Sequence, residues 1–174
     1  MITKPNPEIL TGGAIVFRES KGKKQYLIVK IKDSKDWEIP KVIVRRGESS
    51  VRAVIRLTSE QCAMSARILE EVGRYSQNVV VNAKAVNQKY FYYLMMHRSG
   101  GDDILGFEDF TWVDLASATK KVTSKKEKEM LVSTKGVLKI WEKEKKHRID
   151  EEEEEMAREA EEAEREEKEA EEEQ

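Results

Sequence analysis

The sequence predicts an α+β domain, in which a sheet packs against helices in an α/β/α sandwich, followed by a long charged helix. Three observations carry this prediction. Segments with strand composition lie on both sides of one amphipathic helical segment, a second helical segment follows at about 124–147, and the last 25 residues are rich in Glu and Ala without Gly or Pro. Runs of strands separated by helices indicate a sheet covered by helices.

Six segments have the β-branched and aromatic composition of strands. They are residues 12–17, 25–31, 68–75, 79–86, 90–96 and the shorter 111–115. A polar link at 19–24 predicts a hairpin between the first two segments. Pro40 argues against a central strand at 37–40, because proline cannot donate to a ladder of hydrogen bonds.

Two helices are predicted within the domain. Ser49 and Ser50 can cap the first one, and Ser124 can cap the second. In the first helix, one face is expected to enter the core because its members recur at helical spacing. Those members are Val51, Val54, Ile55, Thr58 and Cys62. Leu57 would then lie about 120° from the centre of that face and be exposed.

The charge is unevenly distributed. The net charge of −2 combines a body, residues 1–149, with 29 basic and 18 acidic side chains, and a tail, residues 150–174, with 3 basic and 16 acidic ones. The body therefore carries +11 and the tail −13. A basic body favours polyanionic ligands such as nucleotides or nucleic acid. The tail is expected to form a solvated helix, supported by Glu-first i,i+4 pairs, or to dock on a basic partner.

A reducing, cytoplasmic location is expected from the single cysteine, Cys62, which excludes an intrachain disulfide. No stretch approaches 18 apolar residues, so we expect no membrane span and no membrane partner. The first eleven residues lack the apolar core of a signal peptide.

A set of spaced residues carries the strongest functional signal. Pro40-Lys41 precedes Gly47-Glu48-Ser49, Arg56 lies eight residues after Glu48, and Glu60 lies four residues later. Further matches flank this core: Gly12-Gly13-Ala14, Trp37-Glu38-Ile39-Pro40-Lys41 and residues 107–113 (FEDFTWV). Together the pattern resembles the Nudix family, and its flanks are closest to diadenosine polyphosphate hydrolase-like members.

The resemblance covers roughly residues 10–147 and implies a Nudix-type α/β/α sandwich with a mixed sheet. It divides the chain into a domain at 1–147 and an acidic, helical or disordered tail at 148–174. The departures from the family box are Val42 for its first Gly, Leu57 and Gln61 for two of its Glu residues, and Ala63 for its closing Gly.

These departures bear on metal binding. Positions 57, 60 and 61 share one face of a helix, where three carboxylates would hold Mg²⁺ or Mn²⁺. Such metals neutralise a pyrophosphate and help to generate a nucleophilic water. Here one carboxylate remains, so the resemblance supports the fold more strongly than it supports hydrolysis.

Candidate site residues follow from the resemblance, each with a plainer alternative. Glu48, Arg56 and Glu60 are the catalytic remnant, although Glu48 and Arg56 can instead form a structural ion pair. Glu60 and Glu108 are candidate metal ligands, or solvated carboxylates. The candidate ligand-binding residues, which could equally be ordinary surface or core residues, are Lys41, Arg45, Arg46, Leu57 and Tyr90.

Two functions remain open at this point. One is a non-catalytic or very weak Nudix-fold module that binds a nucleotide, RNA or a protein complex. The other is a divergent Mg-dependent hydrolase that cleaves nucleoside diphosphate-linked compounds such as diadenosine polyphosphates. The lost box residues favour the first hypothesis, and the retained Glu48, Arg56, Glu60 and Glu108 favour the second.

Overall fold

The computed structural model of the chain describes residues 7–172 and places six strands and three helices within them. In chain order the elements are β1 (Glu8–Ser20), β2 (Lys23–Lys30), β3 (Lys41–Ile43), α1 (Ser50–Arg56), a π-helical turn (Leu57–Gln61), β4 (Met64–Val81), β5 (Lys84–Gly100), β6 (Asp109–Val113), α2 (Leu115–Lys121) and α3 (Lys125–Glu172). The α+β class predicted from the sequence is confirmed.

The strands form one mixed sheet in the order β4-β5-β1-β2-β6, with β3 pairing to β1. β1 lies at its centre and runs parallel to β5, from Glu8 opposite Asn87 to Phe17 opposite Met96. The other pairings are antiparallel. The predicted hairpin between β1 and β2 is present, and it reverses at Lys21-Gly22.

Two consecutive residues of β1, Gly12 and Gly13, show that helices cover both faces of the sheet. A Cβ on Gly12 would lie 2.8 Å from the side chain of Val54 in α1, whereas one on Gly13 would lie 2.4 Å from the ring of Tyr92. Consecutive strand residues point to opposite faces, and Tyr92 bonds to Glu127 of α3. We therefore call the two sides the α1 face and the α3 face, and the predicted sandwich is confirmed.

The hairpin between β4 and β5 corrects one expectation. A single strand at 79–86 is wrong, because the chain reverses at Asn82-Ala83 and pairs Val79 with Val86. Both turn residues have positive φ, 50° and 60°, as a two-residue type I′ hairpin requires. The turn was not predicted, because Ala83 stands where glycine is usual and because valines precede Asn82 and follow Ala85 in the sequence.

Two short elements were not predicted. β3 begins directly after Pro40, whose carbonyl accepts a hydrogen bond from the N–H of Ala14 at 2.9 Å. α2 is capped by Asp114, whose side chain accepts from the N–H of Ser117 at 2.9 Å. Both are short enough to leave little periodicity in the sequence.

The predicted final body helix and the predicted tail helix lie within α3, which is continuous from Lys125 to Glu172. The chain divides into two compact units, one through Val137 and a second from Leu138 onward. In the second unit the side chains of residues 142–170 are all exposed. The structure does not describe residues 1–6, which belong to the N-terminal segment considered above as a signal peptide, or residues 173 and 174 of the tail. No helix within residues 7–172 is long and apolar enough to cross a membrane.

Candidate functional site

Residues 40–64 form a loop, a short helix and a second loop, and they hold most of the predicted site residues. The first loop turns at Gly47, with φ +78°, where the N–H of Glu48 donates to the carbonyl of Arg45 at 3.0 Å. Helix α1 then begins behind Ser49, whose side chain accepts from the N–H of Arg52 at 3.2 Å. The cap predicted at Ser49 is therefore present, and it sets the direction of the helix.

Glu48 and Arg56 form a bidentate pair between the turn and the helix. Arg56 donates through Nε to Oε1 of Glu48 at 2.9 Å and through Nη2 to Oε2 at 3.0 Å. Arg56 also donates to the carbonyl of Ile43, and the N–H of Arg45 donates to Glu48. The bonds from Arg56 and then from Arg45 lower the pKa of Glu48 to about 2. Such a pair holds geometry firmly, so both side chains are engaged in the local structure.

Leu57 is not exposed as expected, because its side chain is fully buried. It packs on the α1 face with Ala14, Val16 and Val54. The buried positions of this segment are Ala53, Val54, Leu57, Thr58 and Cys62. Two residues assigned to the core, Val51 and Ile55, are instead 40% and 48% exposed.

The core face of α1 is thus rotated by roughly a quarter turn from the predicted one. After Arg56 the chain enters the π-helical turn, in which the N–H of Cys62 donates to the carbonyl of Leu57 at 3.3 Å. The extra residue in this turn keeps both Leu57 and Cys62 on the buried side. Burial raises the pKa of the Cys62 thiol to about 12, in agreement with its predicted core position.

The two carboxylates expected to bind metal lie on different segments of the chain. Glu60 is exposed on the π-helical turn, while Glu108 lies in a later loop and accepts a hydrogen bond from the N–H of Asp33 at 2.9 Å. Gln61 is half-buried, and its carbonyl accepts from the N–H of Gly106 at 3.1 Å. Within residues 7–172 no group of three or more His, Cys, Asp and Glu side chains has the arrangement of a metal site.

Lys41, another candidate ligand-binding residue, lies on the side of the sheet opposite to Leu57. It pairs with Gly13 in the β1–β3 ladder and therefore shares the α3 face. Its ammonium group contacts Oε1 of Glu127 and lies 3.5 Å from Glu38. Glu127 is 1% exposed and also accepts from the N–H of Ile39 at 3.0 Å.

Tyr90 is also on the α3 face and is 9% exposed. Its ring stacks on Tyr75 with centroids 4.6 Å apart and lies 6.4 Å from Tyr92. Its hydroxyl accepts from the side-chain amide of Gln77 at 3.1 Å. The structure does not bring Lys41 and Tyr90 together with Leu57, because the sheet lies between them.

Arg45 and Arg46 are exposed beside Gly47. They project from the turn that the Glu48–Arg56 pair holds in place, so their Cα positions are firmly set. Of the predicted ligand-binding residues, these two have the exposure that contact with a ligand requires.

A cavity of about 470 Å³ lies between the loop that follows β2 and the loop that precedes β6. Its lining consists of Lys32, Asp33, Leu105, Gly106, Phe107 and Glu108. Apart from Glu108, the sequence did not point to this cavity. The one available signal was Gly106, since a Cβ there would lie 2.4 Å from the carbonyl oxygen of Gln61, and such close approaches favour glycine.

Comparison with known proteins gives matches in structure. No protein-family model matches the chain, and no curated protein does. A C. elegans Ap4A hydrolase in a binary complex matches with TM-score 0.60 and 20% identity over 75% of this chain and 97% of the other. The NUDIX domain of Shewanella oneidensis NrtR, complexed with ADP ribose, matches with TM-score 0.57 and 17% identity over 79% and 94%.

The chain has the Nudix fold. The E. coli dihydroneopterin triphosphate pyrophosphohydrolase gives a further match, with TM-score 0.53 and 12% identity over 70% of this chain and 91% of the other. At these identities the likeness shows the architecture alone, so the chemistry has to be argued from the residues of this chain.

Two positions that depart from the family box, Val42 and Ala63, can be located in the structure. Val42, at the position of the first box Gly, lies in β3 opposite Gly12 and packs against the core of the α1 face. Ala63, at the position of the closing Gly, has φ +49°. The backbone thus keeps a left-handed residue at this point, a conformation that costs an L-residue about 1–2 kcal/mol.

Proposed function

We propose that the chain is a Nudix-fold module that binds a nucleotide-like polyanion and has little or no hydrolase activity. The observation that carries this proposal is the full burial of Leu57. The family resemblance assigns a metal-binding Glu to that position, and here its side chain is part of the hydrophobic core. Gln61 also lacks the negative charge that a second box Glu would contribute.

Binding is supported by charge and by exposure. Residues 1–149 carry 29 basic and 18 acidic side chains, which attracts polyanions over several ångströms at physiological ionic strength. Arg45 and Arg46 provide exposed guanidinium groups that suit the bidentate geometry of phosphate oxygens. The solved Nudix domain with ADP ribose makes a nucleoside diphosphate the natural first ligand to test.

A hydrolysis assay tests the catalytic half of the proposal. The full chain is incubated with diadenosine and nucleoside polyphosphates in Mg²⁺ and then in Mn²⁺. We expect turnover far below the roughly 1–10³ s⁻¹ of ordinary enzymes. Turnover in that range, reduced by about 10² or more in Glu60→Gln, would instead establish the divergent hydrolase, with Glu60 as a metal ligand.

A titration tests the binding half. ADP ribose and a short single-stranded RNA are titrated into the full chain, and the Arg45→Gln/Arg46→Gln variant is compared with it. The matched control removes two exposed lysines elsewhere, Lys23→Gln/Lys35→Gln. We expect the arginine variant to lose at least about tenfold in affinity and the control to lose less than about threefold. Equal losses would mean that net charge alone, rather than the Arg45–Arg46 turn, determines binding.

A further inference from the structure

The exposed part of α3 consists of two oppositely charged segments. The basic segment, residues 139–148, has five Lys or Arg and two Glu. The acidic segment, residues 150–170, has thirteen Asp or Glu and three Lys or Arg. Ile149 separates them, and both lie on one continuous helix.

Within a single helix, this order of charges is electrostatically unfavourable. Cations precede anions along it, opposite to the order that the helix dipole favours. Residues 150–155 are six consecutive acids, and Glu151 and Glu155 are like charges at i,i+4, which destabilises a helix. Among the described residues, this run makes exposed contacts from Glu151 to His147 at 3.7 Å and from Glu154 to Arg158 at 3.3 Å.

An apolar line crosses the same region. Ile149 is 43% exposed and Met156 is 69% exposed, and Ala163 and Ala170 follow at the same interval of seven residues. A seven-residue interval keeps side chains on one side of a helix that pairs with another helix. The line is narrow, so apolar contact alone would hold a partner weakly.

We propose that this part of α3 pairs antiparallel with the same part of a second copy of the chain, crossing at Ile149. In that register Lys145 of one copy faces Glu153 of the other, Lys146 faces Glu152 and Lys143 faces Glu155. The basic segment of each copy thus lies along the acidic run of the other. A parallel pair would place like charges together, so charge complementarity selects the antiparallel arrangement.

The overlap has a definite length and a definite salt dependence. The residues from 139 to 159 are symmetric about Ile149 and span about 31 Å at 1.5 Å per residue. The contacts are exposed ion pairs around a thin apolar centre, so salt screens them. The association is therefore strongest at low ionic strength and lost at high ionic strength.

The experiment measures the molar mass of the full chain by sedimentation equilibrium. Salt is raised from about 0.01 M to about 1 M, which shortens the Debye length from about 30 Å to about 3 Å. We expect a dimer at low salt and a monomer at high salt. A monomer at low salt, at a protein concentration in the high micromolar range, overturns the proposal. It does so whether the acidic segment then contacts the basic body of its own chain or makes no contact at all.

Charge exchange tests the register. Two full-length variants reverse either side of the three facing pairs. They are Lys143→Glu/Lys145→Glu/Lys146→Glu and Glu152→Lys/Glu153→Lys/Glu155→Lys. Each variant alone should be monomeric at low salt, and an equimolar mixture should restore the dimer.

A matched control reverses three exposed lysines elsewhere, Lys23→Glu/Lys35→Glu/Lys84→Glu, and should dimerise like the original chain. Circular dichroism confirms that each variant keeps its helix content. A dimer that persists in both single variants, or a mixture that stays monomeric, overturns the antiparallel pairing.

Discussion

At the scale of single residues, the segment from Glu48 to Ala63 is held by packing and by side-chain hydrogen bonds. Leu57 lies in the core at the position that the family resemblance assigns to a carboxylate. The contacts of Glu48 and Arg56 lie within the turn or join the turn and the end of β3 to the helix. These contacts stabilise the local structure.

Leu57→Glu should destabilise the fold rather than restore a metal site. The substitution removes a buried apolar side chain and places a carboxyl group among Ala14, Val16 and Val54. We expect the free energy of unfolding to fall by at least about 3 kcal/mol, as measured by urea denaturation. Leu57→Met conserves volume and should cost less than about 1.5 kcal/mol. Unchanged stability in Leu57→Glu would show that the position reaches solvent.

Ala63→Gly should stabilise the fold. Ala63 has φ +49°, and glycine removes the cost of that conformation, for a gain of about 0.5–1 kcal/mol after its greater unfolded-state entropy. The controls are two glycines of similar φ. Gly47→Ala meets open space and should cost about 1 kcal/mol, whereas Gly100→Ala should cost more, because its Cβ would lie 2.4 Å from the carbonyl oxygen of Ala63. Thermal unfolding ranks the three variants, and any other order contradicts the argument.

The pH dependence of unfolding should report the Glu48–Arg56 pair. Since the pKa of Glu48 is lowered to about 2 in the folded chain from its ordinary 4.5, its contribution to stability is fully present above about pH 4.5. That contribution disappears as the pH falls towards 2. Unfolding curves of the original chain and of Glu48→Gln should therefore differ near pH 6 and converge near pH 2. A constant difference across this range would mean that the carboxylate is not selectively stabilised by folding.

At the scale of elements, a buried carboxylate joins α3 to the segment before β3 and to β5. Glu127 accepts from the N–H of Ile39 at 3.0 Å and from the hydroxyl of Tyr92 at 3.1 Å, and it contacts the ammonium group of Lys41. The contact with α3 thus reaches β3 and the residue two positions before it. Burial, and then the negative charge of Glu127, raise the pKa of Tyr92, so its hydroxyl stays protonated and donates.

Glu127→Ala should cost about 3–5 kcal/mol, the usual penalty for leaving a buried charge and its donors without a partner. Urea denaturation measures the loss. The double variant Lys41→Met/Glu127→Leu should recover only the part that comes from the unpaired ammonium group, because the N–H of Ile39 and the hydroxyl of Tyr92 still lack their acceptor. Glu129→Ala, on the exposed side of the same helix, should change stability by less than about 1 kcal/mol. Equal losses in the Glu127 and Glu129 variants would contradict the role given to burial.

At the scale of the whole molecule, opposite charges are separated along the chain. Residues 1–149 carry a net +11 and residues 150–174 a net −13. A polyanionic ligand is therefore attracted to one part of the chain and repelled by the other. Because of this separation, the affinity for a polyanion should depend on the salt concentration, and a salt series tests it.

Removal of residues 150–174 should strengthen polyanion binding at low salt. The net charge of the chain then rises from −2 to +11, and the electrostatic attraction rises with it. Affinity for a short RNA, measured by fluorescence anisotropy across a salt series, should differ most at low salt and converge at high salt. Affinities that are equal at low salt would show that the tail neither shields nor repels, and this account of the charge separation would fail.

The sequence by itself determined the local and periodic features. Most of the strands, the Ser49 cap, the spacing from Glu48 to Arg56 and the helical tail could be predicted, because each depends on residues close together in the chain. The Nudix architecture was implied by the family resemblance that these residues carry. Even the bidentate Glu48–Arg56 pair could be anticipated, since eight residues bring a turn and the end of a short helix together.

The tertiary structure alone decided which side each site residue faces. Helix α1 packs towards the sheet with Ala53, Val54 and Leu57, and the extra residue of the π-helical turn after Arg56 keeps Cys62 on the same side, a feature with no signature in the hydrophobic pattern. The register of β3 with β1 places Lys41 on the face opposite to Leu57, beside Glu127, which is 86 residues away in the chain. Sequence periodicity gives the spacing of side chains along one element, whereas the direction in which that element faces depends on what packs against it.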